Sequence, residues 1–423
     1  MKRLACAGAA LLVAGAACGV SEGEPPSSSG AGAGRSGIDA ADGTGARLDG
    51  GGNPERPVQA DGGSAGAAEP EPFEVVDVPD APCTPTTAAL ITILLPEPLK
   101  ITFDHAGSVA ERRFAFDSGT LAFVTFPSDA ASAADASPPV YGDLLALSGN
   151  GTGLRALELD ASGALVATAF DAWGVRLATS INVDEAGTGN HALLSAGERS
   201  LAVWRTGREL RSRVLGATAV QGQIFDFGPA SCGEHDCNPI VLGSEGHFVL
   251  VWGRTAHDAG FSVSFAAIGT GGATLSIKTV LSSREEYRLV DAALLADQSI
   301  ALLLSEGAPS RAAVLQMLDR FGNLAGPARR LLGAAEPWSV ASHGSSLGVV
   351  ARSLEDQAVF RSFSALGQPS GAWSCIDDSE PGSGFAPRAA IFAEPGGYGM
   401  VVRRIDGSAS YGSVDELGAA RTP

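Results

Sequence analysis

The stretch Val241-Leu-Gly-Ser-Glu-Gly-His-Phe-Val-Leu-Val-Trp252 reads as a short apolar strand, a polar turn and a second apolar strand. Four other segments share that layout: Leu193-Leu-Ser-Ala-Gly-Glu-Arg-Ser-Leu-Ala-Val-Trp204, Leu294-Leu-Ala-Asp-Gln-Ser-Ile-Ala-Leu-Leu-Leu304, Val340-Ala-Ser-His-Gly-Ser-Ser-Leu-Gly-Val-Val350 and Ile391-Phe-Ala-Glu-Pro-Gly-Gly-Tyr-Gly-Met-Val-Val402. Their second strands begin near Leu201, Phe248, Ile300, Leu347 and Gly399, so the steps are 47, 52, 47 and 52 residues. An earlier copy, Phe114 to Phe126, stands further back in the chain. Apolar runs of this length bounded by turn residues predict strands. Leu90–Leu95, Leu121–Phe126 and Ala312–Arg320 read the same way, and no stretch has capped helical periodicity.

A second mark recurs between the hairpins: an apolar run, a polar turn and a glycine. It appears at Leu157 to Gly163, Leu315 to Gly322, Phe363 to Gly367 and Val414 to Gly418, with steps of 45 and 51 from Gly322 to Gly418. Two marks in phase at this spacing predict one four-stranded sheet per repeat, the size of a β-propeller blade. Residues 83–423 then supply six or seven blades of roughly 50 residues each. Each small sheet packs on the next, and closing the ring leaves no large exposed edge. The expected fold class is therefore all-β, a propeller of about six or seven four-stranded blades after a disordered leader. The structural alternative is a pair of two-sheet sandwiches. The body resembles the divergent β-propellers of exported bacterial lipoproteins. It lacks the Trp-Asp signature of WD40 repeats and the double glycine of kelch repeats, so the resemblance is architectural and implies no activity.

The start of the chain carries an address. Lys2 and Arg3 precede an apolar stretch from Leu4 to Ala17, the layout of a secretory signal peptide and shorter than the ~20 apolar residues a membrane-spanning helix needs. The stretch ends Val13-Ala14-Gly15-Ala16-Ala17-Cys18. This resembles the lipobox of bacterial lipoproteins, although Gly15 stands where that family prefers leucine. The resemblance implies lipid on Cys18. The other reading is ordinary cleavage after an alanine, giving a soluble periplasmic or secreted protein. In that family an aspartate after the cysteine favours inner-membrane retention; Gly19 stands here, which implies the outer membrane or cell surface.

From residue 18 to about 72 the chain is mostly Gly, Ala, Ser, Pro, Asp and Glu, and Phe73 is its first aromatic. Such a segment buries too little apolar surface to offset chain entropy and serves as a flexible tether. The expected organisation is a signal peptide at 1–17, a lipid-anchored disordered linker at 18–72 and a propeller at 73–423.

Composition narrows the partners. The 423 residues carry a net charge of −18, which becomes −20 once residues 1–17 take Lys2 and Arg3 away. A chain this acidic repels phosphate backbones, which argues against nucleic acid, and large negative charge favours solubility.

Cys6 lies in the signal and Cys18 is the lipidation candidate. Cys83, Cys232, Cys237 and Cys375 remain, an even number in an oxidising compartment. Spacing favours Cys232–Cys237 as a local loop and Cys83–Cys375 as a clasp from the start of the body to its penultimate repeat.

No catalytic set emerges. The segment Cys232-Gly-Glu-His-Asp-Cys237 gathers thiols, His235 and two acids, but no second Cys/His pair stands nearby to complete a metal site. Gly344-Ser-Ser346-Leu-Gly348 matches the Gly-x-Ser-x-Gly elbow, yet a strand follows it where the elbow needs a helix. His105, His191, His247, His257 and His343 are scattered. Asp117, Asp160 and Asp319 read as turn formers rather than calcium ligands. Trp204, Trp252, Trp338 and Trp373 are expected between blades, and Trp173, beside Gly174, in an exposed turn. No cofactor is implied.

The leading expectation is a non-enzymatic propeller at the cell envelope, membrane-attached through its N-terminal lipid, that binds a protein or glycan through its loops or central channel. The alternatives are a hydrolase or lyase with its site at the channel mouth, and a passive structural envelope lipoprotein.

Overall fold

In the computed structural model the described residues are 75–78, 84–85, 91–93, 105–109, 112–117, 122–127, 140–149, 152–185, 189–228, 237–244, 246–256, 260–284, 286–307, 312–376, 388–403 and 409–421. All belong to one compact unit, residues 66–423. The signal, Cys18 and the linker at 18–72 lie outside them.

Three short strands come first: β1 (Val75–Val78), β2 (Thr84–Pro85) and β3 (Ile91–Ile93). Blade 1 holds β4 (His105–Val109), β5 (Arg112–Asp117), β6 (Ala122–Pro127) and β7 (Val140–Tyr141). Blade 2 holds β8 (Leu144–Gly149), β9 (Gly153–Leu159), β10 (Leu165–Asp171) and β11 (Arg176–Asp184). Blade 3 holds β12 (His191–Ala196), β13 (Arg199–Thr206), β14 (Glu209–Leu215) and β15 (Phe225–Asp226). Blade 4 holds β16 (Cys237–Ser244), β17 (His247–Ala256), β18 (Gly260–Gly269) and β19 (Thr274–Ser283). Blade 5 holds β20 (Tyr287–Leu294), β21 (Ile300–Glu306), β22 (Ala313–Leu318) and β23 (Ala328–Leu331). Blade 6 holds β24 (Ala334–His343), β25 (Ser346–Ser353), β26 (Ala358–Ser364) and β27 (Ser374–Cys375). Blade 7 holds β28 (Arg388–Glu394), β29 (Gly397–Arg403) and β30 (Ala409–Val414), with its outer position shared by β3 and β31 (Ala420–Arg421).

The chain is thus an all-β propeller of seven blades, which sets aside the sandwich alternative. The innermost strands touch in a closed circuit, β4 to β8, β12, β16, β20, β24, β28 and back to β4. One apolar cluster fills each junction between neighbouring blades. Between blades 1 and 2, for example, Phe114, Phe116 and Phe123 meet Leu147, Leu154 and Phe170. Near-continuous burial along second strands such as β9 and β21 and third strands such as β22 and β26 explains their unbroken apolar runs, because both faces of the sheet are covered there, whereas β14 and β18 alternate. Trp204, Trp252 and Trp373 are buried.

The five hairpins quoted from the sequence are the first and second strands of blades 3 to 7. The earlier copy is out of phase. Phe114 to Phe126 joins the second and third strands of blade 1, whose first hairpin is β4–β5. Blade 2's first hairpin is β8–β9; its Leu154 stands 47 residues before Leu201, so the step continues one blade further back. The second mark also merges two turns. Gly163 lies between the second and third strands of blade 2, whereas Gly322, Gly367 and Gly418 lie between the third and fourth strands of blades 5, 6 and 7.

Closure uses the chain's beginning. β3 pairs antiparallel with β30, giving the last blade a strand from the segment that precedes the first. Upstream of it, β1 lies parallel along β23 and β2 parallel along β27 as fifth strands of blades 5 and 6. The segment is a strap across three successive outer edges, and it covers backbone groups that edge strands leave open.

A buried polar junction reinforces the seam between blades 7 and 1. Arg113 Nε donates to Glu394 Oε1, the two residues being 281 positions apart and both buried. Tyr411 Oη donates to Glu394 Oε1 at 2.6 Å and Ser413 Oγ to Oε2 at 3.1 Å. Burial, followed by the bond to Glu394, pushes the Tyr411 hydroxyl up to about 12. Burial pulls the Arg113 guanidinium down, but the bond and charge of Glu394 outweigh it, leaving Arg113 above its ordinary value.

Candidate functional site

The seven inner strands surround a channel. At the end where these strands begin, the channel widens into a cavity of about 710 Å3. Five consecutive blades place a polar side chain there near the start of the inner strand: His191, Asn238, Arg288, Glu336 and Arg388. Deeper positions are mixed, with Leu193, Ile240, Val340 and Ile391 beside the polar Asp291 and Ser339. Strand starts meet solvent, and strand middles meet the neighbouring blades.

Several of these groups stitch blades together. Asn238 Nδ2 donates to the carbonyls of Leu289 at 3.4 Å and Val290 at 3.3 Å. Asp291 follows a bulge in β20. Its Oδ2 accepts from Ser339 Oγ at 2.7 Å and the Val340 N–H at 2.9 Å, and its Oδ1 from the Ala292 N–H at 2.8 Å. Burial nevertheless wins over these bonds and pushes the Asp291 carboxyl up to about 6. Glu336 is paired with Arg352 at 2.8 Å. Burial holds the His191 imidazole down, to about 4, and its Nε2 has no hydrogen-bond partner among the described residues. Arg288 is exposed and makes no ion pair among the described residues. Asp291 and Glu336 are already engaged, and Arg288 presents positive charge at the mouth. Trp338 is half-buried, packing on the cluster between blades 6 and 7 and lining the cavity.

The other sequence candidates are dispersed. Ser346 begins β25 and shares a hydrogen bond with Tyr398 Oη at 2.8 Å, with no nucleophile elbow around it. Asp160 and Asp319 each accept backbone N–H bonds inside their own turns, as turn formers do. His343 meets Glu416 at 2.8 Å on the opposite end of the ring. Cys237 and Cys375 are buried at strand ends of blades 4 and 6, while Cys83 and Cys232 lie outside the described residues. Among the described residues no group of three His, Cys, Asp or Glu side chains is placed to hold a metal ion.

Of the five polar mouth residues only His191 was singled out from sequence; Trp338, expected between blades, also lines the cavity. The signal for the rest is one polar residue placed just ahead of each inner strand's apolar run, and it carries meaning only once the strands are known to converge.

No family model and no curated protein matches the chain. Solved structures similar to it include hydrazine synthase of Kuenenia stuttgartiensis, at 11% identity over 75% of this chain and 98% of that one, with a TM-score of 0.49. Another is the β-propeller domain of Myceliophteria thermophila Cps50 (Swd1), at 9% identity over 74% and 97%, with a TM-score of 0.46. A subtype N10 neuraminidase-like protein of A/little yellow-shouldered bat/Guatemala is similar at 10% identity over 65% and 96%, with a TM-score of 0.43. The likeness is one of fold and carries nothing about activity.

Proposed function

We propose that this chain is an exported, lipid-anchored, non-enzymatic propeller that binds a protein or glycan partner at the cell envelope through the channel mouth. The observation that carries the binding reading is the convergence of His191, Asn238, Arg288, Glu336 and Arg388 from five blades around one cavity, with Trp338 in its wall. A concave apolar site with a few oriented polar groups is the usual form of a ligand pocket. Arg288 suits a partner bearing an anionic group. The anchor rests on the lipobox-like run ending at Cys18. Disulfides Cys232–Cys237 and Cys83–Cys375 belong to the same exported reading. In favour of the second pairing, β2, which follows Cys83, pairs with the strand that holds Cys375.

The test is a glycan array together with co-purification from envelopes, using the full chain and an Arg288→Glu variant. Loss of binding on the order of tenfold is expected for Arg288→Glu and no change for Arg320→Glu in the β22–β23 turn at the opposite face. A partner held equally well by both variants removes the mouth from the proposal. Cys18→Ser is expected to move the protein from the membrane pellet to the soluble fraction.

A second reading, a hydrolase or lyase at the same mouth, is favoured by Asp291 alone, a carboxyl titrating near 6 in a cavity. Turnover of a substrate with an acid limb that vanishes in Asp291→Asn would establish it.

A further inference from the structure

Blades 2, 5, 6 and 7 join their third and fourth strands by the same turn: Asp171-Ala-Trp-Gly-Val175, Asp319-Arg-Phe-Gly-Asn323, Ser364-Ala-Leu-Gly-Gln368 and Asp415-Glu-Leu-Gly-Ala419. In each, the first side chain accepts from the backbone N–H of the third and fifth residues, at 2.8 and 2.8 Å, 2.8 and 2.8 Å, 3.3 and 3.3 Å, and 2.9 and 2.8 Å respectively. The glycine of each turn leans on the third strand of the preceding blade, Gly174 on Phe123, Gly322 on Phe265, Gly367 on Met317 and Gly418 on Phe360. With the turn pinned on both sides, the third side chain points out. Trp173 is 61% exposed, Phe321 60%, Leu366 73% and Leu417 69%. Single exposed apolar residues are ordinary; large ones at the equivalent position of four blades are a pattern.

These tips share one face of the ring, the face of the first hairpin turns. His343 in the first turn of blade 6 meets Glu416 in the tip turn of blade 7, and Arg421 Nη1 donates to the Pro395 carbonyl in blade 7's own first turn at 2.7 Å. The strap starts at the same face. β1 runs parallel to β23 with Val75 opposite Ala328, the first residue of β23 after the Phe321 turn. The chain leading back to Cys18 therefore meets the propeller beside the tips, and the channel mouth described above opens on the opposite face.

Arginines accompany the tips. Arg112 lies over the Trp173 ring at 3.9 Å and Arg320 over Phe321 at 4.7 Å. Arg112 is buried and donates to Thr125, so Arg320 is the exposed arginine of the pair. Exposed aromatic and leucine tips, one of them beside an exposed arginine, suit the boundary between headgroups and acyl chains. Tips spread around a ring define a plane, which fits a flat surface better than it fits a peptide.

We propose that this face rests on a lipid bilayer, with Trp173, Phe321, Leu366 and Leu417 entering the headgroup region of the membrane that holds the Cys18 lipid. The proposal rests on the lipid-anchor reading given above. A tether makes the second contact intramolecular, so shallow insertion suffices. Glu198, Asp297 and Glu416 lie in turns of the same face, so zwitterionic lipid is the better surface. The docked propeller presents its channel mouth away from the membrane.

The experiment uses the mature lipidated full chain in phosphatidylcholine vesicles with bromine on the acyl chains. Trp173 fluorescence is isolated as the difference between wild type and Trp173→Phe. Quenching is expected, with at least about a twofold loss in a Phe321→Ser/Leu366→Ser/Leu417→Ser variant and weaker quenching when phosphatidylglycerol is added. The unlipidated full chain, Cys18→Ser, is run beside it. Partition of that chain with Trp173 quenched upholds the docking even if Cys18 proves to carry no lipid. A lipidated chain that binds vesicles with Trp173 unquenched overturns the docking and leaves the anchor standing, as does a protein partner found seated on the tips.

Discussion

Glu394 is buried with Arg113, also buried, against it. Glu394→Ala leaves an uncompensated buried guanidinium and is expected to cost about 3–5 kcal/mol. A double variant, Arg113→Met with Glu394→Leu, is expected to recover most of that, as read by urea melts followed through tryptophan fluorescence. Asp291 carries a pH signature. Its folded value stands near 6, above the ordinary 3.8, so its contribution is fully present below about pH 4 and is lost as pH rises through 6. Asp291→Asn, which cannot ionise, is expected to gain stability relative to wild type between pH 4 and 6 and then level off; a constant difference across that range refutes the assignment. His191 runs the other way. Held down near 4, it contributes above pH 6.5 and loses that contribution as pH falls through 4, so His191→Phe is expected to flatten the acid limb. Neither Glu394 nor Asp291 was legible as structural. A charged or polar side chain inside a strand run shows nothing of its partner when the partner is in another blade.

At the scale of the element, hairpins were the readable part. Apolar-turn-apolar layouts depend only on neighbours in sequence, and five of them fell where the repeat put them. The phase error in blade 1 has a physical cause. Both β5–β6 and the first hairpins are buried apolar pairs, and local pattern does not distinguish an inner strand from a middle one. The turn glycines sort by environment. Gly163 and Gly322 both have positive φ, but a Cβ on Gly163 meets open space whereas one on Gly322 meets Phe265 at 3.0 Å. Gly163→Ala is expected to cost about 1–2 kcal/mol from backbone strain alone, and Gly322→Ala to add about 1–3 kcal/mol of overpacking against blade 4. Equal losses in thermal melts would show that the turn does not bear on the preceding blade.

For the whole molecule, the ring is held by seven apolar junctions and one shared blade. Non-reducing peptide mapping is expected to link Cys83 to Cys375 and Cys232 to Cys237; a Cys83–Cys232 link refutes that pairing. Reduction is expected to lower stability by about 2–5 kcal/mol, most of it from the Cys83–Cys375 clasp, which closes a very long loop. The sequence by itself determined the all-β class, the length of the repeat and most of the turns, because strand and turn preferences act over a few residues and repeat with the blade. Tertiary structure alone decided the number of blades, the strap over blades 5 to 7, the Arg113–Glu394 junction and the convergence of five polar side chains on one mouth. Each of those joins residues far apart in the chain, and they meet only because the ring closes.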